Sequence, residues 1–538
     1  MNWLLPTRRL IPKWRKAKFA LHQPDMFGLV QRGNGRATVD SADQEVDIAL
    51  HRWEATNSIG DLADLLAFGL DPRRRDQLTG PARIALSMPG TTVALRLVAS
   101  EILSGGQSEE AVWNSSVSAR SARGLRALLR NAPNDVLGLV DLAQHHLSQG
   151  KRKPAYRALS TAYQLAPNSV HVIRAITRFW IHAGEKERAH SFIKSVGRTS
   201  SDPWLMATEI AAAEVADAPS TQLRQAQRAI AVKSFSNKNL TELAGAIGGV
   251  ELSNGKLKEA RKLFRIALEH PTDNVIAQAI TNQKFLGIDI DEQLISKAPT
   301  GAFEGRTLQA FLAADFERAS ILTRSWADEE IFSSRPRLLQ SYFEGALGNY
   351  QQSLEAAEIG LSADHRDLSL RGNKAYALAA LGRFSEALSE LSGIQAGGNK
   401  DMASQTLATR GMVLLHQGRF EEGKQSYEDA LTEFEFAKEE AQYTDCLAFY
   451  ARAAVQSSAP GSEEITKRAL ERYKKYFSPA AAVVLRTVNQ KADVEKSAPM
   501  RKLVQWEWDK QSNTLQEKRV LTAKGAPGFV VLNSQRRW

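Results

Sequence analysis

The sequence predicts an all-α fold in which helical hairpins stack on one another to form a solenoid. The chain has 538 residues, which is more than one compact core usually organises. Glycines recur 34 residues apart, from Gly150 to Gly184 and from Gly348 to Gly382. Prolines repeat at the same interval, from Pro133 to Pro167. A constant period of this length is typical of a repeat array rather than of one globular core.

The spacing inside each unit predicts two antiparallel helices joined at the glycine. The glycine ends the first helix, where a positive φ is often needed. Five residues later a small side chain lets the helices approach closely, and after four more a large apolar side chain fills the space between them. The small positions are Ala155, Ala189, Ala260 and Ala387, and the large ones are Leu159, Ile193, Phe264, Leu391 and Tyr427. Ser353 and Gly423 depart from the alanine pattern.

This pattern resembles the tetratricopeptide repeat (TPR) family. The unit 136–167 carries it on Leu139, Leu142, Ala143, His146, Gly150, Ala155, Leu159, Ala162 and Pro167. Further units are readable over 168–200, 241–272 and 334–435, although Lys374 and Ala375 replace the family's Leu-Gly pair. The resemblance implies a right-handed α-solenoid in which the first helix of each hairpin lines a concave groove.

The chain divides into four predicted segments. Residues 1–40 form a basic arm, 41–132 hold degenerate helical repeats, 133–490 form the repeat solenoid, and 491–538 form a basic extension. Residues 284–302 lack a clear pattern and predict an irregular joint within the solenoid. Near the C-terminus, β-prone runs flank Lys524–Gly528, where a short β-hairpin and a loosely ordered tail remain alternatives.

The net charge of +10 is concentrated at the two ends of the chain. Residues 1–40 carry eight Lys or Arg against two Asp, and residues 491–538 carry ten against five Asp or Glu, so the middle is nearly neutral. This distribution argues against a long nucleic-acid groove, but it is compatible with basic ends that meet nucleic acid, an acidic protein or a membrane surface. Solvated charged ends are the simpler alternative.

The sequence carries no recognisable motif for catalysis or for cofactor binding. Phosphate loops, HExxH, nucleophile elbows and paired metal-type cysteines are all missing, so we expect a non-enzyme without cofactor or metal. His146 takes an aromatic core position, and Cys446 is expected to be a small buried apolar residue. With one cysteine, no apolar run long enough to span a membrane and no secretory signal, we expect a cytoplasmic protein. A transit peptide is the alternative for the N-terminus.

The function is therefore expected to lie in binding surfaces. By analogy with the family, the groove would receive His171, Arg174, Arg178, His182, Tyr342, Tyr376, Met412 and His416. A one-sided stripe of Arg120, Arg123, Arg126 and Arg130 could contact phosphates or an acidic partner. We expect a scaffold or adaptor for a protein partner. The alternatives are a nucleic-acid-associated regulator and an enzyme with its site in residues 1–130.

Overall fold

The computed structural model describes residues 41–70, 74–88, 91, 93–104, 122–131, 133–235, 237–298, 301–396, 402–491, 505–509 and 514–519. These residues form α-helices, short 3-10 helices and one two-stranded ribbon, so the predicted all-helical, repeat-like architecture is confirmed. None of the described helices is long and apolar enough to cross a membrane.

The helices of the N-terminal half are α1 Ser41–Thr56, α2 Ile59–Leu66, α3 Thr79–Ser87, α4 Val93–Ser104, α5 Ala122–Asn131, α6 Val136–Leu147, α7 Arg152–Leu165, α8 Val170–His182, α9 Lys186–Ser195, α10 Pro203–Val215, α11 Leu223–Ala231, α12 Asn237–Ser253 and α13 Leu257–Ala267. Short 3-10 helices cover Ala67–Leu70, Asp76–Leu78 and Gly197–Ser200.

The helices of the C-terminal half are α14 Asp273–Leu286, α15 Glu292–Ile295, α16 Phe303–Leu312, α17 Phe316–Glu329, α18 Arg335–Leu347, α19 Tyr350–Ala363, α20 Leu368–Ala380, α21 Phe384–Ala396, α22 Ala403–His416, α23 Phe420–Phe436, α24 Glu440–Gln456, α25 Ser462–Lys475 and α26 Pro479–Lys491. The predicted joint 284–302 covers the end of α14 and the single-turn α15.

The hairpins stack through their first helices. α18 packs against α20, α20 against α22, α22 against α24, and α24 against α26, while each of α18, α20, α22 and α24 also packs on the helix that follows it. Side-chain caps fix several helix starts, because Asp135 accepts from the Gly138 N–H and Asp367 from the Leu370 N–H. One hydrophobic core runs continuously from α16 to α26.

The predicted glycine turns are present in the structure. Gly150, Gly184, Gly255, Gly348, Gly382 and Gly418 all have positive φ. At Gly382 the backbone N–H donates to the Ala379 carbonyl at 3.1 Å, and the Arg383 N–H donates to Leu378 at 2.9 Å. This pair of bonds is a Schellman motif, which satisfies the carbonyls at the end of the first helix.

Other helix ends make the same turn without glycine. Asp217, Ala314, Lys438 and Ser458 have positive φ at the ends of α10, α16, α23 and α24. Their hydrogen bonds repeat the Schellman pattern. The repeat is therefore weakest in the sequence where a residue other than glycine takes the left-handed conformation.

The small and large positions pack as predicted. Ala155, Ala189, Ala260 and Ala387 are fully buried, as are Leu159, Ile193 and Phe264. The exception at Gly423 has a steric reason, since a Cβ there would lie 2.8 Å from Leu415 and 3.0 Å from the Gly411 carbonyl oxygen. Ser353 is accommodated because its hydroxyl donates to the Ser341 carbonyl at 2.7 Å.

The stack curves back on itself within residues 335–491. The last helix, α26, packs on α18 as well as on its neighbour α24. The guanidinium of Arg452 on α24 donates to the carbonyls of Gly345 and Ala346, at 2.8 and 2.6 Å, in the last turn of α18. The first helices of these hairpins therefore enclose a central space instead of bordering an open groove.

A second long-range contact joins the two halves of the chain. Phe332, which precedes α18, is buried in the hydrophobic cluster of α6 to α9. Its ring meets the edge of His182, with the centroids 5.0 Å apart. Arg152 lies 3.7 Å from Asp364 across the same contact.

The ribbon pairs β1, Gln505–Asp509, with β2, Thr514–Arg519, in antiparallel register. It lies upstream of the predicted hairpin, whose turn at 524–528 falls outside the described residues. The basic arm 1–40 also lies outside them.

Candidate functional site

The principal concave feature is a cavity of about 130 Å³ at the centre of the curved C-terminal stack. Its walls come mainly from α18, α20, α22 and α24, which are the first helices of four successive hairpins. Ser369, Asn373, Ala408 and Gln442 lie at its half-buried edge. The cavity is thus reached from the side on which the resemblance places the binding surface.

Aromatic side chains form much of the inner wall. Tyr376 and Phe449 meet edge to face with centroids 5.5 Å apart. Tyr342 and Tyr427 also line the cavity and are buried. Burial raises the pKa of both the Tyr342 and the Tyr376 hydroxyl, so these groups stay neutral at physiological pH. They present apolar faces with a polar edge.

Arg452 joins the helices around the cavity. In addition to its two bonds to α18, it donates to the Tyr376 hydroxyl at 2.5 Å. Its guanidinium carbon lies 5.0 Å from the centroid of the Phe449 ring. Arg452 is almost completely buried, and all the partners named here are neutral, so its charge is balanced by carbonyl dipoles and ring faces.

Asp445 is the buried acid of the cavity wall, and its side chain is 5% exposed. Its Oδ1 accepts hydrogen bonds from the Ser478 hydroxyl and, at 3.2 Å, from the Ala481 N–H on α26. Burial raises the pKa of this carboxyl to about 7, because the charged form loses its hydration, and the two hydrogen bonds only partly oppose this.

Two of the eight predicted groove residues line this cavity, namely Tyr342 and Tyr376. Met412 lies on the same helix as much of the wall, but its side chain is buried in the core. His416 ends α22 and stacks on Phe384 with a centroid distance of 6.4 Å. Burial lowers the pKa of His416, which is consistent with a neutral packing role.

The other four predicted groove residues lie together on α8, far along the chain from this cavity. His171, Arg174, Arg178 and His182 are all half-buried. Arg174 lies over the ring of Trp204 on α10, 5.0 Å from the centroid. Burial, and then Arg178 and Arg335, lower the pKa of His182 to about 4, so this imidazole is neutral where it packs on Phe332.

The predicted arginine stripe is only partly described. Arg123, Arg126 and Arg130 are exposed on α5, and Arg120 lies outside the described residues. The predictions for His146 and Cys446 are confirmed, since both are buried. Burial also raises the pKa of the Cys446 thiol, which keeps it protonated.

Sequence reasoning missed Asp445 and Arg452. Asp445 was assigned to an acidic surface run spanning 428–445, and this assignment is wrong because α26 covers the carboxylate. A signal was available in the stretch 446–455, which is apolar except for Arg452. Charged residues beside and inside such a run are candidates for buried polar contacts.

Comparison with known proteins yields no relative. No family model matches the chain, and no curated protein matches it. Within the described residues, no group of three or more His, Cys, Asp or Glu side chains could hold a metal ion.

Proposed function

We propose that this protein is a non-enzymatic scaffold or adaptor that binds a protein partner on the surface formed by the first helices of its hairpins. The hairpins would form a right-handed TPR-like solenoid, and the protein would act in the cytoplasm. The observation that carries the proposal is the cavity shared by α18, α20, α22 and α24, which has aromatic walls and a partly polar edge. Such concave, mostly apolar sites with a few placed polar groups are typical binding sites.

The size of the cavity limits how a partner would bind. Roughly 10–15 Å³ of such space holds one water molecule, so the cavity of about 130 Å³ accepts a side chain and not a helix. A partner would therefore rest on the half-buried edge and insert one anchoring residue. Deeply buried anchors of this kind commonly dominate the energy of protein interfaces.

The test is affinity purification of the tagged full chain from its native host, followed by mass spectrometry at low and high salt. Ala408→Trp fills the cavity from α22 and should abolish recovery of a stoichiometric partner. Ala403→Trp makes the same change at an exposed position of the same helix and should leave recovery intact. Recovery of no stoichiometric partner, or equal recovery with both variants, would contradict the proposal.

Nucleic-acid binding is a second candidate because Arg123, Arg126 and Arg130 are exposed together on α5. Phosphate contacts should weaken steeply with salt, by about 0.9 log units of affinity per log unit of salt for each contact with duplex DNA. Fluorescence anisotropy with labelled DNA and RNA would measure this slope for the parent and for Arg126→Glu. A slope near zero, or no binding, would remove this candidate.

A further inference from the structure

Asp445 leaves one carboxylate oxygen without a hydrogen-bond donor in the wall of the cavity. Oδ1 is held by Ser478 and Ala481 of α26, whereas no residue in the described part of the chain donates to the buried Oδ2. Leaving a buried acceptor unsatisfied costs about 1–3 kcal/mol, and more when it is charged. A buried group of this kind, placed in a cavity wall, points to a missing donor.

The neighbouring cation does not fill this role. Arg452 lies two turns further along α24, and its bonds go to Gly345, Ala346 and Tyr376. No ion pair to Asp445 is formed by any described residue whose contacts are known here. The described residues also offer no second and third carboxylate, histidine or cysteine that would make this a metal site. The complementary group must therefore be a cation that carries its own hydrogen-bond donors.

We propose that the cavity receives the ammonium group of a lysine side chain from a partner protein, which passes Tyr376 and Phe449 and donates to Oδ2 of Asp445. This inference rests on the proposed adaptor function and names the chemistry of the anchor. The aliphatic stem of lysine suits the apolar walls, and aromatic faces attract ammonium groups. One charged end on an apolar stem matches one unsatisfied oxygen in an apolar cavity.

The carboxylate geometry selects ammonium over guanidinium. Arginine binds a carboxylate best through two parallel hydrogen bonds to both oxygens. Here Oδ1 already accepts from Ser478 and Ala481, which leaves Oδ2 for the incoming group. Lysine acts as a compact point charge and needs no fork geometry, so one oxygen is enough to orient it.

The first experiment measures binding of n-hexylammonium and of neutral n-hexanol to the full chain by isothermal titration calorimetry at pH 8. The parent protein should bind n-hexylammonium at least about tenfold more tightly, as a charge-assisted bond requires. Asp445→Asn keeps the shape of the side chain and should remove this preference. Equal affinities in the parent, no binding of n-hexylammonium, or an unchanged preference in Asp445→Asn would overturn the proposal.

Ala408→Trp provides a second variant that leaves Asp445 intact. It should abolish binding of both probes, with the helical circular dichroism of the parent retained. Persistent n-hexylammonium binding in Ala408→Trp would place the probe elsewhere and overturn the assignment. This result also decides the matter if Asp445→Asn does not fold.

The second experiment identifies the occupant in the purified complex by zero-length cross-linking. A carbodiimide activates the Asp445 carboxylate, the lysine amine attacks the activated carbonyl, and an amide forms as the urea leaves. The expected product joins the Asp445 peptide to a lysine of the partner and is missing from Asp445→Asn. A link to this chain's own amines, a link to a second copy, or no link at Asp445 would overturn the assignment to a partner lysine.

The two experiments also separate this inference from the adaptor function. A partner that depends on Ala408 but binds Asp445→Asn normally would retain the adaptor function and reject the lysine anchor. A clear n-hexylammonium preference without any stoichiometric partner would reject the adaptor function and, with it, the assignment to a partner protein.

Discussion

At the scale of single residues, the chemistry of this protein is concentrated on one face of α24. Asp445 and Arg452 lie seven residues apart, which is two helical turns, and both are buried. They do not pair with each other, since α26 holds the carboxylate while α18 and α20 hold the guanidinium. Each charge is thus used to join α24 to a different helix.

We predict that the carboxylate of Asp445 lowers stability at alkaline pH. Its pKa rises from 3.8 to about 7 on folding, so the folded state binds the proton more tightly and loses stability as the pH rises through this range. The shift corresponds to a loss on the order of 4 kcal/mol above pH 7. Asp445→Asn should therefore unfold at higher urea concentration than the parent at pH 8, by a margin that shrinks toward pH 5.

The matched control is Asp429→Asn, the same substitution at an exposed position of α23. It should show no such pH-dependent margin. A parent protein as stable as Asp445→Asn at pH 8 would contradict the account of Asp445 as a buried, poorly compensated acid.

We predict a large loss of stability for Arg452→Met. The substitution leaves the carbonyls of Gly345 and Ala346 without their donor inside the protein. Removing one partner from a buried charged network typically costs about 3–5 kcal/mol. Denaturant unfolding should show this loss, and hydrogen exchange should show faster opening in the last turn of α18. Arg410→Met, at an exposed position, serves as control, and an unchanged α18 would count against the prediction.

At the scale of elements, the helix-ending turn depends on backbone conformation more than on packing. A Cβ on Gly382 would meet nothing within 4 Å, yet φ there is +79°. Lys438 makes the same hydrogen-bonded turn at φ 56° with an exposed side chain. The two positions therefore isolate the cost of the left-handed conformation from that of steric contact.

We predict effects of opposite sign at these two turns. Gly382→Ala should lower the free energy of unfolding by about 1 kcal/mol, because alanine is strained at this φ. Lys438→Gly should raise it by about the same amount, since glycine takes this conformation without strain. Urea denaturation of both variants measures the two changes. Effects of the same sign would show that packing, and not φ, governs these turns.

At the scale of the whole molecule, the chain is held in its curve by contacts between hairpins that are distant in sequence. Arg452 meets residues more than 100 positions away, with a sequence separation of 106 from Ala346. Phe332 does the same between α6–α9 and the C-terminal hairpins. Nearest-neighbour stacking is therefore supplemented by contacts that an open repeat array lacks.

We predict that Phe332→Ala loosens hairpins far from the mutation. Truncating a buried phenylalanine costs about 3–5 kcal/mol, and Phe332 is 5% exposed among residues of α6 to α9. Hydrogen exchange should become faster in α6 to α9. Phe436→Ala removes a ring that is 88% exposed and should change nothing. Unaltered exchange in α6 to α9 would contradict a stabilising role for this contact.

The local architecture was determined by the sequence itself. Glycine spacing located the turns, and the small and large apolar positions located the helix interfaces, because both depend on residues close together in the chain. Gly382, Ala387 and Leu391 fill these roles as predicted. The degenerate turn at Ala314 was harder to read, since its conformation is imposed by packing rather than by glycine.

The site was decided by the tertiary structure. Tyr342 and Tyr376 were found from the repeat pattern, but Met412 and His416 face the packed interior of the stack. Asp445 reads as one more surface acid until α26 covers it. The curvature that closes the stack accumulates from small rotations between successive hairpins, and no local pattern records that sum. The sequence thus determined the hairpins, and only their packing decided that they enclose a buried carboxylate.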